Sequence, residues 1–417
     1  MRSIVGVILL GLSALCAQAH AGEAALKVLV FGDPQVKSPQ DVDYFRRDIV
    51  EPLRGRHGAR LGISLGDIVD DAPAMYPAIK AETARLGIPW LYAPGNHDVD
   101  PGAADDAGSL DGFRREIGPD SFVRETALAS FVVLDDVIAM PGQKPAYIGG
   151  LREDQFAMLA ARLPKLRKDR LLVVALHIPL FEDADKDSFR DADRERLFAL
   201  LQPFPHVLVL SAHSHAQRHF FHGAASGWHG AGLLHEYNVG ATCGSYWAGA
   251  KDAAGIPDAM MADGTPNGYA VLEVRPGGAY SLAWHNARDA ADSQIGLHAP
   301  KALRRGAYPA WGVFANVYMG DDDTRVEFRV DGGEWKPMKK VLQADPTLLA
   351  ENMRDDGSEA LRGYDRSPEA EPSQHLWRAA LPTKLAAGEH VVEVRAFDRW
   401  RGEQRATTSY RLIEAVQ

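Results

Sequence analysis

From residue 27 the chain alternates short apolar runs with longer stretches in which apolar residues recur every three or four positions. The runs are 28–31, 61–65, 90–93, 171–176 and 207–210, and each stops abruptly at polar residues. Brief runs with no polar face are the pattern of strands buried on both sides. The stretches 40–53, 74–86, 153–166 and 194–201 carry the period of amphipathic helices. Buried strands alternating with such helices predict an α/β domain whose sheets are covered. The runs 270–274 and 280–284 flank Pro276-Gly277-Gly278 and read as a closing β-hairpin. Beyond residue 310 the period changes to two: 325–330 alternates before Asp331-Gly332-Gly333, and 390–397 alternates again. That pattern predicts a smaller all-β sandwich. The expected organisation is a first domain over 27–298, a linker around 298–309 and the sandwich over 310–417. The stretch 240–268, rich in Gly, Pro and Asp, has no period; a loop that long is usually functional or mobile.

Composition narrows this reading without redirecting it. At 417 residues the chain exceeds one ordinary core, so two domains are the default. A hydrophobic fraction of 46% with 24% charged residues is ordinary globular composition. The net charge of -10 offers no basic groove for a nucleic-acid backbone, so no nucleic-acid partner is expected. Residues 1–21 read as a signal peptide: Arg2, an apolar stretch over 4–15, then small-x-small sites at Ala17-Gln18-Ala19 and Ala19-His20-Ala21. The expected location is periplasmic or secreted. Nothing after the leader has the 18 apolar residues of a spanning helix, so no transmembrane span is expected. Cys16 leaves with the leader, and Cys243 alone forms no intramolecular disulfide.

The chemistry sits where the apolar runs stop. Their endings are Asp33-Pro34-Gln35, Gly66-Asp67-Ile68-Val69-Asp70, Gly95-Asn96-His97-Asp98, His177 and His213-Ser214-His215. In layered α/β folds the ligand site lies beyond the carboxyl ends of the strands, where these endings converge. Residues two apart in extended chain point the same way, so Asp33 with Gln35, and His213 with His215, can each present a pair of ligands. Taken singly, a Gly-Asp after a strand is an ordinary turn, and His177 is an ordinary core histidine. Together, in this order and strand context, they point to metal.

The series resembles the signature of the calcineurin-like metallophosphoesterases: Asp-x-His, Gly-Asp-x-x-Asp, Gly-Asn-His-Asp/Glu, a lone His, and Gly-His-x-His. The likeness spans residues 27–286, and the β-rich C-terminus resembles a group of secreted bacterial members. It implies a four-layer sandwich, two mixed β-sheets flanked by helices, and a dinuclear site at the strand ends. On that resemblance Asp67 bridges two divalent ions. Asp33, Gln35 and His215 complete one, and Asn96, His177 and His213 the other. His97 matches the family's catalytic imidazole and Asp70 the carboxylate that orients it. The implied reaction is hydrolysis of a small phosphorylated substrate by attack of a metal-bridging hydroxide. Two cations about 3.5–4 Å apart lower the pKa of a shared water and clamp an in-line displacement.

Two departures carry information. Gln35 stands where the family usually has His, as in some manganese-dependent branches. An amide oxygen is harder than imidazole, which favours Mn or Fe over Zn, though Zn stays possible. Ala212 replaces the usual Gly of the last motif, a chemically silent change. Asp71 stands where the family's protein phosphatases carry an Arg, which argues against a phosphoprotein substrate. Competing readings are a non-catalytic, metal-stabilised module docking to envelope glycans, and a nuclease, which the acidity disfavours. Trp335, Trp377 and Trp400 fit either a glycan-contacting face or core packing. His219, His222, His229 and His235 read mostly as strand or loop residues.

Overall fold

The computed structural model describes residues 25–181, 189–290, 293–359 and 366–414; the leader expected over 1–21 lies outside them. Two mixed sheets dominate the first part. One runs in the order Tyr280–Asn286, Gly268–Val274, Leu26–Phe31, Leu61–Leu65, Trp90–Ala93. Its last three strands are parallel and the others antiparallel. The other runs Arg218–His222, Leu234–Asn238, Val207–Ser211, Leu171–Ala175, Ala129–Val133, Phe122–Glu125, with four parallel strands between antiparallel edges.

Strand periodicity decides which core each side chain enters. In the second sheet Phe131, Val133, Leu171, Val173, Ala175, Leu208 and Leu210 face the first sheet. Their neighbours Val132, Leu172, Val174 and Val209 face away, toward Phe156 and Leu159 of the helix Glu153–Arg162 and Leu197, Phe198 and Leu201 of the helix Asp191–Leu201. Both faces are therefore apolar, which is why these strands read as unbroken runs. The first sheet is covered by Val42, Phe45 and Ile49 and, from the helix Tyr76–Ala84, by Tyr76 and Ile79. The result is helix, sheet, sheet, helix. The stretch expected as one helix over 40–53 is broken into Pro39–Phe45, a π-helical turn Arg46–Val50 and Glu51–Leu53. Pro52 has no N–H to continue the ladder there, and a wider turn absorbs the break.

The C-terminal part is a second sandwich. Four strands (Ile295–His298, Gly312–Val317, Pro372–Ala380, Lys339–Ala344) face five (Ala302–Arg304, Gly402–Ile413, Gly388–Asp398, Val326–Val330, Lys336–Pro337). Val313, Ala315, Trp377, Val392, Val394, Tyr410 and Leu412 fill the space between. Its first strand starts ahead of the expected linker, and Ala302–Arg304 lies within it, so the sandwich begins before residue 310. Alternation also does not reveal the helix Pro346–Asp356, although its start has the chemistry of one. Asp345 caps Thr347 and Leu348 N–H at 2.8 and 3.1 Å, and Pro346 opens the first turn.

The two parts share a continuous seam. Trp400 lies 5.4 Å from His219 and 5.7 Å from His235, ring centre to ring centre. His219 stacks on Tyr237 at 4.6 Å, and burial pushes its imidazole down to about 3, so it packs as a neutral ring. His222 and His235 are strand residues too, and none of the four histidines 219, 222, 229 and 235 lines the cleft described below. Deeper in, Asp263 meets His375 Nε2 at 3.0 Å and receives Asn316 Nδ2 on its carbonyl at 3.0 Å. Burial opposes the Asp263 carboxylate, but His375 and the surrounding donors outweigh it and hold its pKa below normal. Of the three tryptophans, Trp377 is core, Trp400 is seam, and Trp335 is half-buried against Arg329 and Arg395 at 4.5 and 4.2 Å.

Candidate metal centre

The strand endings converge as expected. Ligand atoms of Asp67, His177 and His213 all lie within 4.8 Å of one another, and so do those of Asp33, Asp67 and His215. Asp67 is common to both groups, as a bridging carboxylate must be. His177 Nε2 stands 3.0 Å from Asn96 Oδ1, 3.3 Å from Asp67 Oδ2 and 3.2 Å from His213 Nδ1. Its other nitrogen, Nδ1, donates to Leu65 O at 2.8 Å, which orients the ring so that Nε2 faces these three residues. A ring nitrogen aimed at oxygen and nitrogen donors fits a metal ligand set, and the donors are of the kind that hold divalent first-row metals.

Backbone shape makes this convergence possible. Asp33, Gln35, Asp67, His213 and His215 all have positive φ, between 42° and 69°. Such conformations cost non-glycine residues of order 1–3 kcal/mol each and persist only where surroundings over-determine them. The surroundings here are explicit. Gln35 N donates to Asp67 O at 2.8 Å, and Asp33 accepts His213 N at 3.2 Å. The loop 240–268 is stitched to the same turn by Thr242 N on Gly32 O at 2.7 Å, Cys243 N on Asp33 O at 3.1 Å and Trp247 Nε1 on Pro34 O at 2.9 Å. Two glycines allow close approach. A Cβ on Gly66, itself at φ 92°, would sit 2.5 Å from His177 Nδ1, and one on Gly95 would sit 2.3 Å from Asp67 Oδ1.

Two carboxylates outside the expected ligand set hold the ligand loops. Asp98 accepts Ile68 N at 3.1 Å, Gly95 N at 2.9 Å and Tyr76 Oη at 3.0 Å, tying the second ending to the third. Asp136 accepts His177 N at 3.0 Å and Ile178 N at 2.9 Å. Asp98 belongs to the quoted motif, and Asp135-Asp136 ends an apolar run in the same way as the ligand endings, so the signal for both was in the sequence.

Charge is concentrated here. Burial raises the Asp33 pKa to about 6 against the pull of His215 and His177. For Asp67 burial is outweighed by His177, His97 and His213, and its pKa falls below normal. Burial disfavours a charged His177, but Asp67, Asp33 and Asp136 hold its pKa up at about 10. His213, buried and facing His177, is pushed down to about 3.

His97 lies at the wall of the site with its backbone N–H on Asp67 Oδ1 at 2.8 Å. Its Nδ1 is 3.3 Å from Asp70 and 3.1 Å from Asp71, so the expected orienting carboxylate shares the ring with its neighbour. Asp70 is also held by Lys37 Nζ at 3.1 Å. Burial works against charging His97, but Asp67, Asp71 and Asp70 outweigh it and raise its pKa. Gln35 lines the same cleft as Asp67, His213 and His215, its amide oxygen 3.6 Å from Cys243 Sγ. That thiol is fully buried, and burial pushes its pKa well up, so it stays protonated.

Above the ligands opens a cleft of about 420 Å³. Its walls bring in residues that sequence reasoning did not single out: Tyr147, Ser245, Tyr246, Arg366, Glu369 and Glu371. The Tyr246 ring is 6.0 Å from His215, and the Tyr147 ring 6.0 Å from His213. Tyr147 opens the short strand Tyr147–Gly149 and the others come from loops with no period, and only folding brings them together.

Residues 26–217 match the family described as calcineurin-like phosphoesterase, and residues 236–403 match the C terminal of calcineurin-like phosphoesterase. No curated protein matches the chain in sequence. Among solved structures, the chain is similar to a dimetal phosphatase from Danio rerio, at 14% identity and TM-score 0.41, over 62% of this chain and 99% of that one. It is also similar to purple acid phosphatase PPD1 from yellow lupin, at 14% identity and TM-score 0.42, over 64% of this chain and 52% of the lupin protein.

Proposed function

Because the chain belongs to the calcineurin-like phosphoesterases and is a metal-dependent phosphoester hydrolase, we propose that it cleaves small phosphate esters outside the cytoplasm. The observation that carries this reading is Asp67, shared between two ligand groups beneath a cleft walled by His97. Two divalent ions bound there would supply Lewis acidity toward the phosphoryl oxygens and an activated water. Asp33, Gln35 and His215 would hold one, Asn96, His177 and His213 the other, and Asp67 both. The chain's own part in the reaction is to hold these groups in place and to deliver a proton. His97 donates a proton to the departing alkoxide oxygen, and Asp70 with Asp71 keeps Nδ1 engaged so that the other nitrogen points into the cleft. A metal-binding module without turnover has no use for His97 held in this way.

Small substrates are favoured by the cleft's size and by Glu369 and Glu371 on its wall, which repel a long polyanion such as nucleic acid. Export rests on the leader over 1–21; the purified mature protein is expected to begin at His20 or Gly22, and a mass spectrum retaining Met1 would remove that part. Turnover of p-nitrophenyl phosphate with added manganese, compared with bis-p-nitrophenyl phosphate, tests the activity. No hydrolysis of either by metal-loaded protein would leave only the binding-module reading.

Gln35 sets the choice of metal. Its neutral amide oxygen is a weak donor, so the ion it helps to hold is the looser one, and manganese should raise the activity of purified protein. Gln35→His is expected to tighten that ion and improve the relative performance of zinc, which imidazole suits well. If Gln35 serves only to meet the Cys243 thiol, elemental analysis and the manganese-to-zinc activity ratio will not move.

A further inference from the structure

We propose that Arg366, delivered by the C-terminal part of the chain, is the specificity-determining cation of the cleft and selects esters whose phosphoryl group is dianionic. Among the described residues lining the cleft it is the one Lys or Arg; the other ionisable lining groups are Asp67, Glu369, Glu371, the histidines and the tyrosines. Acid carried by a substrate therefore meets, among the described residues, Arg366 as the cation beyond the ligand loops. The inference rests on the phosphoesterase reading and adds to it the part of the molecule that reads the substrate's charge.

The wall that carries Arg366 is built, not incidental. Asn352, on the helix Pro346–Asp356 and nearly buried, clamps it from both sides: its Nδ2 donates to Pro368 O at 2.8 Å, and its Oδ1 accepts Ala370 N at 2.9 Å. Glu371 N then donates to Ala262 O at 2.9 Å, joining the wall to the loop 240–268 that supplies Ser245, Tyr246, Ala248 and Ala262 to the cleft. Just beyond, the buried Asp263–His375 pair at 3.0 Å pins the start of the strand Pro372–Ala380. Arg366 itself is exposed and leans on Asp356 and, at 3.5 Å, on the Asn352 carbonyl. Exposed ion pairs of this kind hold a side chain weakly, so exchanging Asp356 for a phosphoryl oxygen costs little. A guanidinium fork matches two oxygens of one phosphate, which favours a monoester, with its second negative charge, over a diester.

The test compares wild-type protein with Arg366→Gln and Arg366→Lys, all manganese-loaded. Calorimetric binding of inorganic phosphate is read beside the KM for p-nitrophenyl phosphate and bis-p-nitrophenyl phosphate. Arg366→Gln is expected to weaken phosphate and raise the monoester KM by about 10- to 100-fold, the usual range for a hydrogen bond to a charged group. It should leave kcat near wild type and the diester KM within a few-fold. Arg366→Lys should fall between. Unchanged phosphate affinity, or equal KM losses on both esters, would overturn the proposal while turnover kept the phosphoesterase reading intact. Conversely, phosphate binding that depends on Arg366 in a protein without turnover would keep the proposal and sink the hydrolase.

Discussion

Asp67→Asn is expected to abolish loading of both metal ions and to lower kcat by on the order of 10³ or more, the scale on which a preorganised electrostatic element is lost. The reason is its double membership. Both ligand groups draw on its carboxylate, whereas Asp33 and His215 serve only one and His177 and His213 only the other. Asparagine keeps the shape but gives up the charge that offsets two cations, and one of its two terminal atoms becomes a donor. Asp33→Asn should act on one ion only, halving metal content while part of the activity survives at high manganese. Metal-to-protein ratios by elemental analysis for the two variants decide the matter. Equal, partial metal loss in both would mean that Asp67 belongs to one ion and does not bridge.

His97→Ala should leave metal content unchanged, because its ring is turned toward Asp70 and Asp71 and only its backbone N–H touches Asp67. The loss should fall on chemistry. For an alkyl phosphate, whose alkoxide cannot leave unprotonated, kcat is expected to drop by about 10²–10⁴. For p-nitrophenyl phosphate the leaving group needs no proton, and the drop should be much smaller. A ratio of the two losses near one would show that His97 acts on substrate binding or on water, not on the leaving oxygen.

Much of the fold was legible because burial on both faces leaves a strand no polar positions. Leu171 to Leu176 is apolar without interruption since alternate residues enter different cores, and Val28 to Phe31 since all four side chains are buried in one. The site was legible for a related reason. Where such a run ends, its polar residues are forced to one rim, and Asp33, Asp67, Asn96, His177 and His213 meet there. The same logic, applied to Phe131 to Leu134, would have found Asp135-Asp136. Arg366, Tyr147 and Tyr246 had no such signature. Tyr147 reaches the cleft from a three-residue strand, and Arg366 and Tyr246 from loops held by contacts made outside them, such as Asn352 against Pro368 and Ala370. The boundary near residue 300 was blurred for another reason, since Ala302–Arg304 is a three-residue strand with one buried side chain, too brief to show a period.

The order of strands in the first sheet also bears on how the chain reaches its native state. Leu26–Phe31, the first strand among the described residues, lies at the centre of that sheet, with Leu61–Leu65 on one side and Gly268–Val274 on the other. Leu26 therefore waits for Val274, and Val30 for Ala270, before one whole edge of backbone finds its partner. Until then a strand apolar but for Lys27, with open hydrogen-bonding groups, is available to the wrong neighbour, whether another strand or another molecule. So sequence-distant a closure makes for slow folding, and it makes the amino-terminal half a poor candidate for an autonomous unit. A ribosome-bound or cleaved chain ending short of the 268–286 hairpin is a natural client for a holding chaperone.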